Sequence, residues 1–257
     1  MPGKNREDFS PSDRSLLDRR RDDLKKISDT NAYVLGGGIS SRMKKDKAFL
    51  EYDGKLLIDI SIERVHSLFE QVFLVGRDYE SPLLTRCLHD EVTGVGPLGG
   101  ILTALMHTDR EHNFFIGMDY PCTDERFILA LHSLFKSRTP QYEGLIPIGP
   151  DGPHPLLAFY DKSCLSSVES CVAEKEYRIL CIARRSRIYF SILLTDLEES
   201  DLDESDLDES DLDESDLEES DHHEDKREII ERNLININSD KDYILSKRLK
   251  KHNENML

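Results

Sequence analysis

Long apolar runs are missing from this chain of 257 residues. None approaches the roughly 18 consecutive apolar residues that mark a membrane-spanning helix, so no membrane partner is expected. The charged N-terminus lacks the apolar core of a signal peptide, and Arg19, Arg20 and Arg21 run straight into Asp22 and Asp23, which does not read as an export signal. Cysteine is sparse. Cys87, Cys122, Cys164, Cys171 and Cys181 contain no Cys-x-x-Cys pair, and no histidine stands at zinc-finger spacing. That pattern argues against a structural metal or a disulfide framework and favours a reducing compartment, so the expected location is the cytoplasm. Basic charge is short as well, with a formal net charge of −17. However, Asp196 to Asp225 carry 18 of the 51 acidic residues and no Lys or Arg, and without that stretch the formal charge is about +1. The acidity therefore belongs to one insertion and picks out no partner, and no nucleic acid is expected.

What is present is enough chain for one good-sized α/β domain. Met1 to Thr30 is crowded with charge and offers only Leu16, Leu17, Leu24 and Ile27 as apolar anchors, so residues 1–30 read as a mobile arm or a loose helix. From Asn31 the pattern becomes short apolar runs, each closed by polar or Gly/Pro residues and followed by a helical stretch. This alternation predicts a mostly parallel sheet covered by helices. Strands are expected at Ala32–Leu35, at Val72–Val75, shortly before His89-Asp90, at Phe114–Met118, Gly144–Ile148 and Leu156–Tyr160, and last at Leu234–Asn238. Helical spacing covers Leu57 to Phe69, the stretch opened by Gly94–Gly100 and continuing to Leu105, the stretch from Arg126 to Phe135 with Thr123 as N-cap, and Ser163 to Val172. The domain comprises 31–195 and 226–250, interrupted by 196–225.

That interruption repeats Glu-Ser-Asp-Leu-Asp with leucines at 197, 202, 207, 212 and 217. Five residues turn a helix by roughly 500°, about 140° net per repeat, so the leucines spiral and never form one apolar stripe. The acids also repel one another, and the stretch is expected to be disordered. A pentapeptide β-helix would need several coils to bury its leucines. A polyanionic interaction tail is the other option, with nothing to specify its partner. His222 and His223 within the tract read as solvated rather than as a metal site.

The chemistry concentrates in Leu35-Gly36-Gly37-Gly38-Ile39-Ser40-Ser41-Arg42-Met43-Lys44-Lys45-Asp46-Lys47, directly after a strand. Adjacent glycines let backbone N–H groups approach phosphate oxygens without Cβ obstruction, and a concave row of amides favours an anion. Arg42 and Lys47 add positive charge nearby. A dinucleotide-binding Gly-x-Gly-x-x-Gly would need glycine at position 41, which is Ser; a P-loop needs Gly-Lys-Ser/Thr, and Gly38 is followed by Ile39. A plain strand-to-helix turn remains the competing interpretation. Asp119, at the end of a buried strand, sits where open α/β sheets bind ligands, or it merely caps a helix near Pro121.

These motifs resemble the molybdenum cofactor guanylyltransferases, the molybdopterin-guanine dinucleotide synthesis proteins. The family signature Leu-x-Gly-Gly-x-Ser-x-Arg-Met-Gly-x-Asp-Lys is matched by Leu35, Gly37, Gly38, Ser40, Arg42, Met43, Asp46 and Lys47. Asp90, the loop Gly96-Pro97-Leu98-Gly99-Gly100, Asp119-Tyr120-Pro121, His154-Pro155 and Asn236-Ile237-Asn238 follow in the same order, so the resemblance spans roughly Asn31 to Tyr243. It implies a Rossmann-like three-layer α/β/α nucleotidyltransferase fold with a mostly parallel sheet. It implies that Leu35, Gly36, Gly37, Lys47, Asp90 and Asp119 bind GTP, with the Gly-Pro-Leu loop along the guanine. Asp119 resembles the Mg²⁺ ligand, and Lys47, Arg42 and Asp119 are the expected catalytic groups. His154, Asn236 and Asn238 are expected on the side of molybdopterin or molybdenum-molybdopterin, although singly such residues also occur as turn or strand-end residues. Molybdoenzyme apoproteins or other cofactor-biosynthesis proteins would be partners, and the chain is expected to be a monomer.

Three departures stand out. Lys44 replaces the signature's Gly, so a left-handed backbone there would carry a Cβ cost of about 1 kcal/mol. Gly36 stands where Ala is usual, an exchange expected to be sterically harmless. Cys122 follows Pro121 where an aromatic residue is common. Two other functions compete: a cytidylyl- or sugar-1-phosphate nucleotidyltransferase with a similar loop, and a catalytically weak accessory binding protein.

Overall fold

The computed structural model describes residues 26–37, 46–192 and 232–235. Arg42, Lys44, Asn236, Asn238, the arm up to residue 25 and the acidic stretch 196–225 lie outside the described residues.

Strand β1 (Thr30–Leu35) is buried along its whole length. It begins two residues ahead of the expected Ala32, and Ile27 pairs with Phe69, so the last residues of the expected arm belong to the fold. A two-stranded hairpin, β2 (Glu51–Tyr52) and β3 (Lys55–Leu56), leads into α1 (Leu57–Leu68). Then come β4 (Val72–Val75), β5 (Arg86–Leu88), α2 (Pro97–His107), β6 (His112–Gly117), α3 (Glu125–Arg138), β7 (Gly144–Gly149), β8 (Gly152–Pro153), β9 (Leu157–Asp161), α4 (Leu165–Ala173) and β10 (Ile188–Ile192). The main sheet runs β10-β7-β9-β6-β1-β4-β5, with β8 paired to β7. β1 is parallel to both β4 and β6, β4 to β5, and β10 to β7, while β9 runs antiparallel to β6 and β7.

Alternation along β1 sets the layers, because successive side chains in a strand point to opposite faces. Ala32 and Val34 face a core completed by Ile58, Ile62 and Val65 of α1 and Phe127, Leu131 and Phe135 of α3. Tyr33 and Leu35 face the other core, with Leu98, Ile101 and Leu105 of α2 and Val168 of α4. The architecture is thus the expected three-layer α/β/α arrangement with a mostly parallel sheet.

Local differences have local causes. The N-cap of α3 is Asp124, whose carboxylate accepts the Phe127 amide at 2.8 Å, not Thr123. The Thr123 hydroxyl instead donates to the carbonyl of Asn233. Leu234 lies in a turn after helical Arg232 and Asn233, so it does not begin the expected last strand. Cys171 and Cys181 form a disulfide, where the sequence argued against a disulfide framework; α4 and the 3₁₀ turn Ile179–Arg184 fold back on each other, and no Cys-x-x-Cys spacing announces it. Cys87, Cys122 and Cys164 are thiols outside that disulfide.

Burial lowers the pKa of His66, His132 and His154 below the ordinary 6.5. The unfolded chain therefore takes up protons near pH 6.5 that the folded chain resists, and folding stability is lost as pH falls through that value. Denaturant unfolding at pH 5.5 is expected to show a lower midpoint than at pH 7.5; an unchanged or higher midpoint would count against neutral, buried imidazoles.

Candidate active site

β1 has β4 on one side and β6 on the other, so the C-terminal ends of β1, β4, β5 and β6 meet at the switch point where ligands of open α/β sheets bind. Hydrogen bonding continues past the strand ends, with Gly36 N–H donating to Val75 O at 2.8 Å and Gly76 N–H to Leu88 O at 2.8 Å. Gly76 has φ +94°, and a Cβ on it would stand 2.8 Å from Gly37 Cα and 2.9 Å from Gly37 N. The two backbones thus touch directly at the start of the Gly-rich loop. The Asp90 carboxylate lies beside this point, with Oδ2 3.6 Å from the Cβ positions of both Gly37 and Gly76 and Oδ1 3.9 Å from that of Gly100 in α2. Burial pushes the Asp90 carboxyl up, opposed by His89.

Lys47 opens a 3₁₀ turn, Lys47–Phe49, and its ammonium sits 3.0 Å from Asp119 Oδ2. Both side chains are mostly covered, at 15% and 13% exposure, so the pair is screened less than a surface ion pair. Asp119 follows the end of β6, where a Cβ on Gly117 would collide with its carboxylate. Gly117→Ala is therefore expected to displace Asp119 and to reduce turnover about tenfold or more, with little change in thermal midpoint. Steady-state kinetics beside a melting curve tests this, and a fully active variant would contradict it.

A supporting layer surrounds these groups. Arg77 donates from Nη1 and Nη2 to the two oxygens of Asp46, each at 2.9 Å, and from Nε to Gly36 O at 2.6 Å. Asp46 in turn accepts the Ala48 amide at 3.1 Å and caps the turn that carries Lys47. Arg64 of α1 donates to the carbonyls of Tyr120 (3.3 Å) and Pro121 (3.1 Å), fixing the segment just after Asp119. Cys122, where an aromatic residue was expected, lies 3.4 Å from the Tyr52 hydroxyl. His154 is only 3% exposed. Its Nε2 lies 2.8 Å from Asp151 Oδ1 and its Nδ1 3.2 Å from the hydroxyl of Tyr120, the residue after Asp119. Asn233 meets Thr123 and Asp124, and Leu234 packs against Gly149 beside His154, so the chain beyond the acidic stretch returns to this side of the sheet.

Sequence motifs thus bring Leu35, Gly36, Gly37, Lys47, Asp90 and Asp119 to one end of the sheet. Arg42, Asn236 and Asn238 are outside the described residues. Arg64, Arg77 and Asn233 carry no motif, and only the glycine preceding Arg77 at a strand end marks the place. Among the described residues no group of three or more His, Cys, Asp and Glu side chains could hold a metal ion. A divalent ion here would rest on Asp119 plus oxygens of a bound substrate and water, a set that suits Mg²⁺.

A family model described as the MobA-like NTP transferase domain matches residues 32–187. The chain belongs to that family. The MobA-like NTP transferases are nucleotidyltransferases, and so is this enzyme. Among relatives, a probable molybdenum cofactor guanylyltransferase of Methanothermobacter thermautotrophicus is 32% identical over 154 residues, covering 57% of this chain and 78% of the relative. One of Aquifex aeolicus, with the same description, is 29% identical over 167 residues, 64% of this chain and 79% of the relative. Molybdopterin-guanine dinucleotide biosynthesis protein A from Archaeoglobus fulgidus superposes with a TM-score of 0.63 at 22% identity, over 88% of this chain and all (100%) of that one, and shares the fold. No helix among the described residues is long and apolar enough to cross a membrane.

Proposed function

We propose that this MobA-like transferase moves GMP from GTP to the terminal phosphate of molybdopterin, or of its molybdenum-bearing form, and releases pyrophosphate. The observation that carries this is the Lys47–Asp119 pair at the end of the sheet where the backbones of Gly37 and Gly76 touch. A phosphate oxygen of molybdopterin attacks the α-phosphorus of GTP, and the bond to the β-phosphate oxygen breaks. The attacking phosphate is already anionic near neutral pH, so the chain's task is positioning and charge neutralisation rather than proton abstraction. Backbone amides of the Gly-rich loop bind the triphosphate, and Lys47 and Arg42 offset its charge. Asp119 would hold Mg²⁺, which when bound supplies further neutralisation of the phosphates. Asp90, beside Gly37 and Gly100, is placed to accept hydrogen bonds from the nucleoside. His154 acts on the molybdopterin side through Tyr120 and the segment after Asp119.

Thermal shifts with GTP, CTP, UTP and ATP, each with Mg²⁺, test the choice of nucleotide. GTP is expected to stabilise most, because a ligand that binds only the folded state raises the melting temperature; a larger shift with CTP would favour a cytidylyltransferase. Deleting residues 196–225 is expected to leave turnover almost unchanged, and a large loss would assign the acidic stretch a part in the reaction.

A further inference from the structure

The Gly-rich loop has two described ends, Gly36-Gly37 and Asp46, and one side chain bonds Gly36 and Asp46. Arg77 directs Nε at the carbonyl of Gly36 (2.6 Å) and its two terminal nitrogens at the two oxygens of Asp46 (2.9 Å each). The planar guanidinium fork fits a carboxylate in this way and an ammonium does not. The same side chain fills the space beside Gly36, where a Cβ would come within 3.2 Å of Arg77 Cγ and 2.7 Å of Leu74 Cδ1. Beyond Asp46 the connection continues: its carboxylate caps the turn of Lys47–Phe49, and Lys47 reaches Asp119. The guanidinium also lies 5.5 Å from the centre of the Phe49 ring in that turn.

We propose that Arg77 is a positioning residue that ties the two ends of the phosphate-binding loop together and thereby sets where Lys47 stands. It acts through Asp46 and Gly36 and touches no substrate. This role rests on the nucleotidyl-transfer reading given above, and the test separates the two.

The test uses the full chain with Arg77→Ala, Arg77→Lys, Asp46→Asn and the Arg77→Ala/Asp46→Asn double variant. Calorimetric affinity for GTP with Mg²⁺, kcat, melting temperature and amide exchange at Ala48–Leu50 are measured for each. Arg77→Ala and Asp46→Asn are each expected to weaken GTP binding about tenfold, and the double variant no more than either, because both remove one shared contact. Arg77→Lys keeps the charge, loses the fork, and is expected to match Arg77→Ala; it also keeps the comparison readable if the alanine variant folds poorly. Exchange at Ala48–Leu50 should quicken in all four while the melting temperature stays near that of the parent. An additive double variant, or a harmless Asp46→Asn beside a damaging Arg77→Ala, would overturn the proposal in favour of direct nucleotide contact. A parental Arg77→Lys would reduce the role to charge alone and overturn it as well. If the parent binds GTP and the variants neither loosen the turn nor lose affinity, the clasp is wrong and the function stands. If the parent binds no GTP yet the variants loosen the turn, the clasp stands and the function is wrong.

Discussion

Asp119→Ala is expected to cut turnover by about a hundredfold or more, the scale seen when a single group stabilising transition-state charge is removed. Its carboxylate stands 3.0 Å from Lys47, at the convergence of β1, β4 and β6, and it is the group proposed above to hold Mg²⁺. Lys47→Ala should cause a loss of the same order, because triphosphate charge would then be balanced by one group fewer. The two variants should also be non-additive, since both remove the same ion pair. Neither substitution touches the two cores, so both proteins should remain folded, with melting temperatures lower by only a few degrees. A folded Asp119→Ala or Lys47→Ala protein with near-parental kcat would remove charge neutralisation from these residues.

The second large effect belongs to Gly76→Ala. At φ +94° an alanine is strained in itself, and its Cβ would stand 2.8 Å from the Cα of Gly37. Backbone cannot give way there as a flexible side chain could, because Gly36 and Gly76 are both held by hydrogen bonds to neighbouring strands. Strain of this kind costs about 1–3 kcal/mol, and relief requires the start of the Gly-rich loop to move. GTP affinity should therefore fall far more than stability does. Denaturant unfolding alongside nucleotide titration measures both, and an alanine variant with parental GTP affinity would show that the Gly37–Gly76 contact is dispensable.

Much of this architecture was legible in the pattern of short apolar runs and helical spacings, because buried parallel strands and amphipathic helices repeat at different periods. β4, β6 and β7 lie close to where the runs place them, and the site residues Lys47, Asp90 and Asp119 come together as their positions after strands suggest. What escaped depends on contacts between distant parts of the chain. The Arg77–Asp46 fork spans 31 residues, the Arg64 bond to Pro121 spans 57, and the Thr123 bond to Asn233 spans 110. No local spacing encodes such pairs. Thr123 and Asp124 are both good N-caps in isolation; in the structure Asp124 caps the helix while the Thr123 hydroxyl donates to the carbonyl of Asn233. The disulfide escaped for a related reason, since Cys171 and Cys181 meet only after α4 turns back. The burial of His154 against Tyr120 and Asp151 was not legible either.

The most direct measurement is product analysis after incubating the purified chain with molybdopterin, Mg²⁺ and an equimolar mixture of GTP, CTP, UTP and ATP. Molybdopterin-guanine dinucleotide and one pyrophosphate per dinucleotide should accumulate, and both should form about a hundredfold more slowly, or slower still, in the Asp119→Ala protein. A cytosine dinucleotide as the main product, or no pyrophosphate from a folded, GTP-binding sample, would contradict guanylyl transfer at this site.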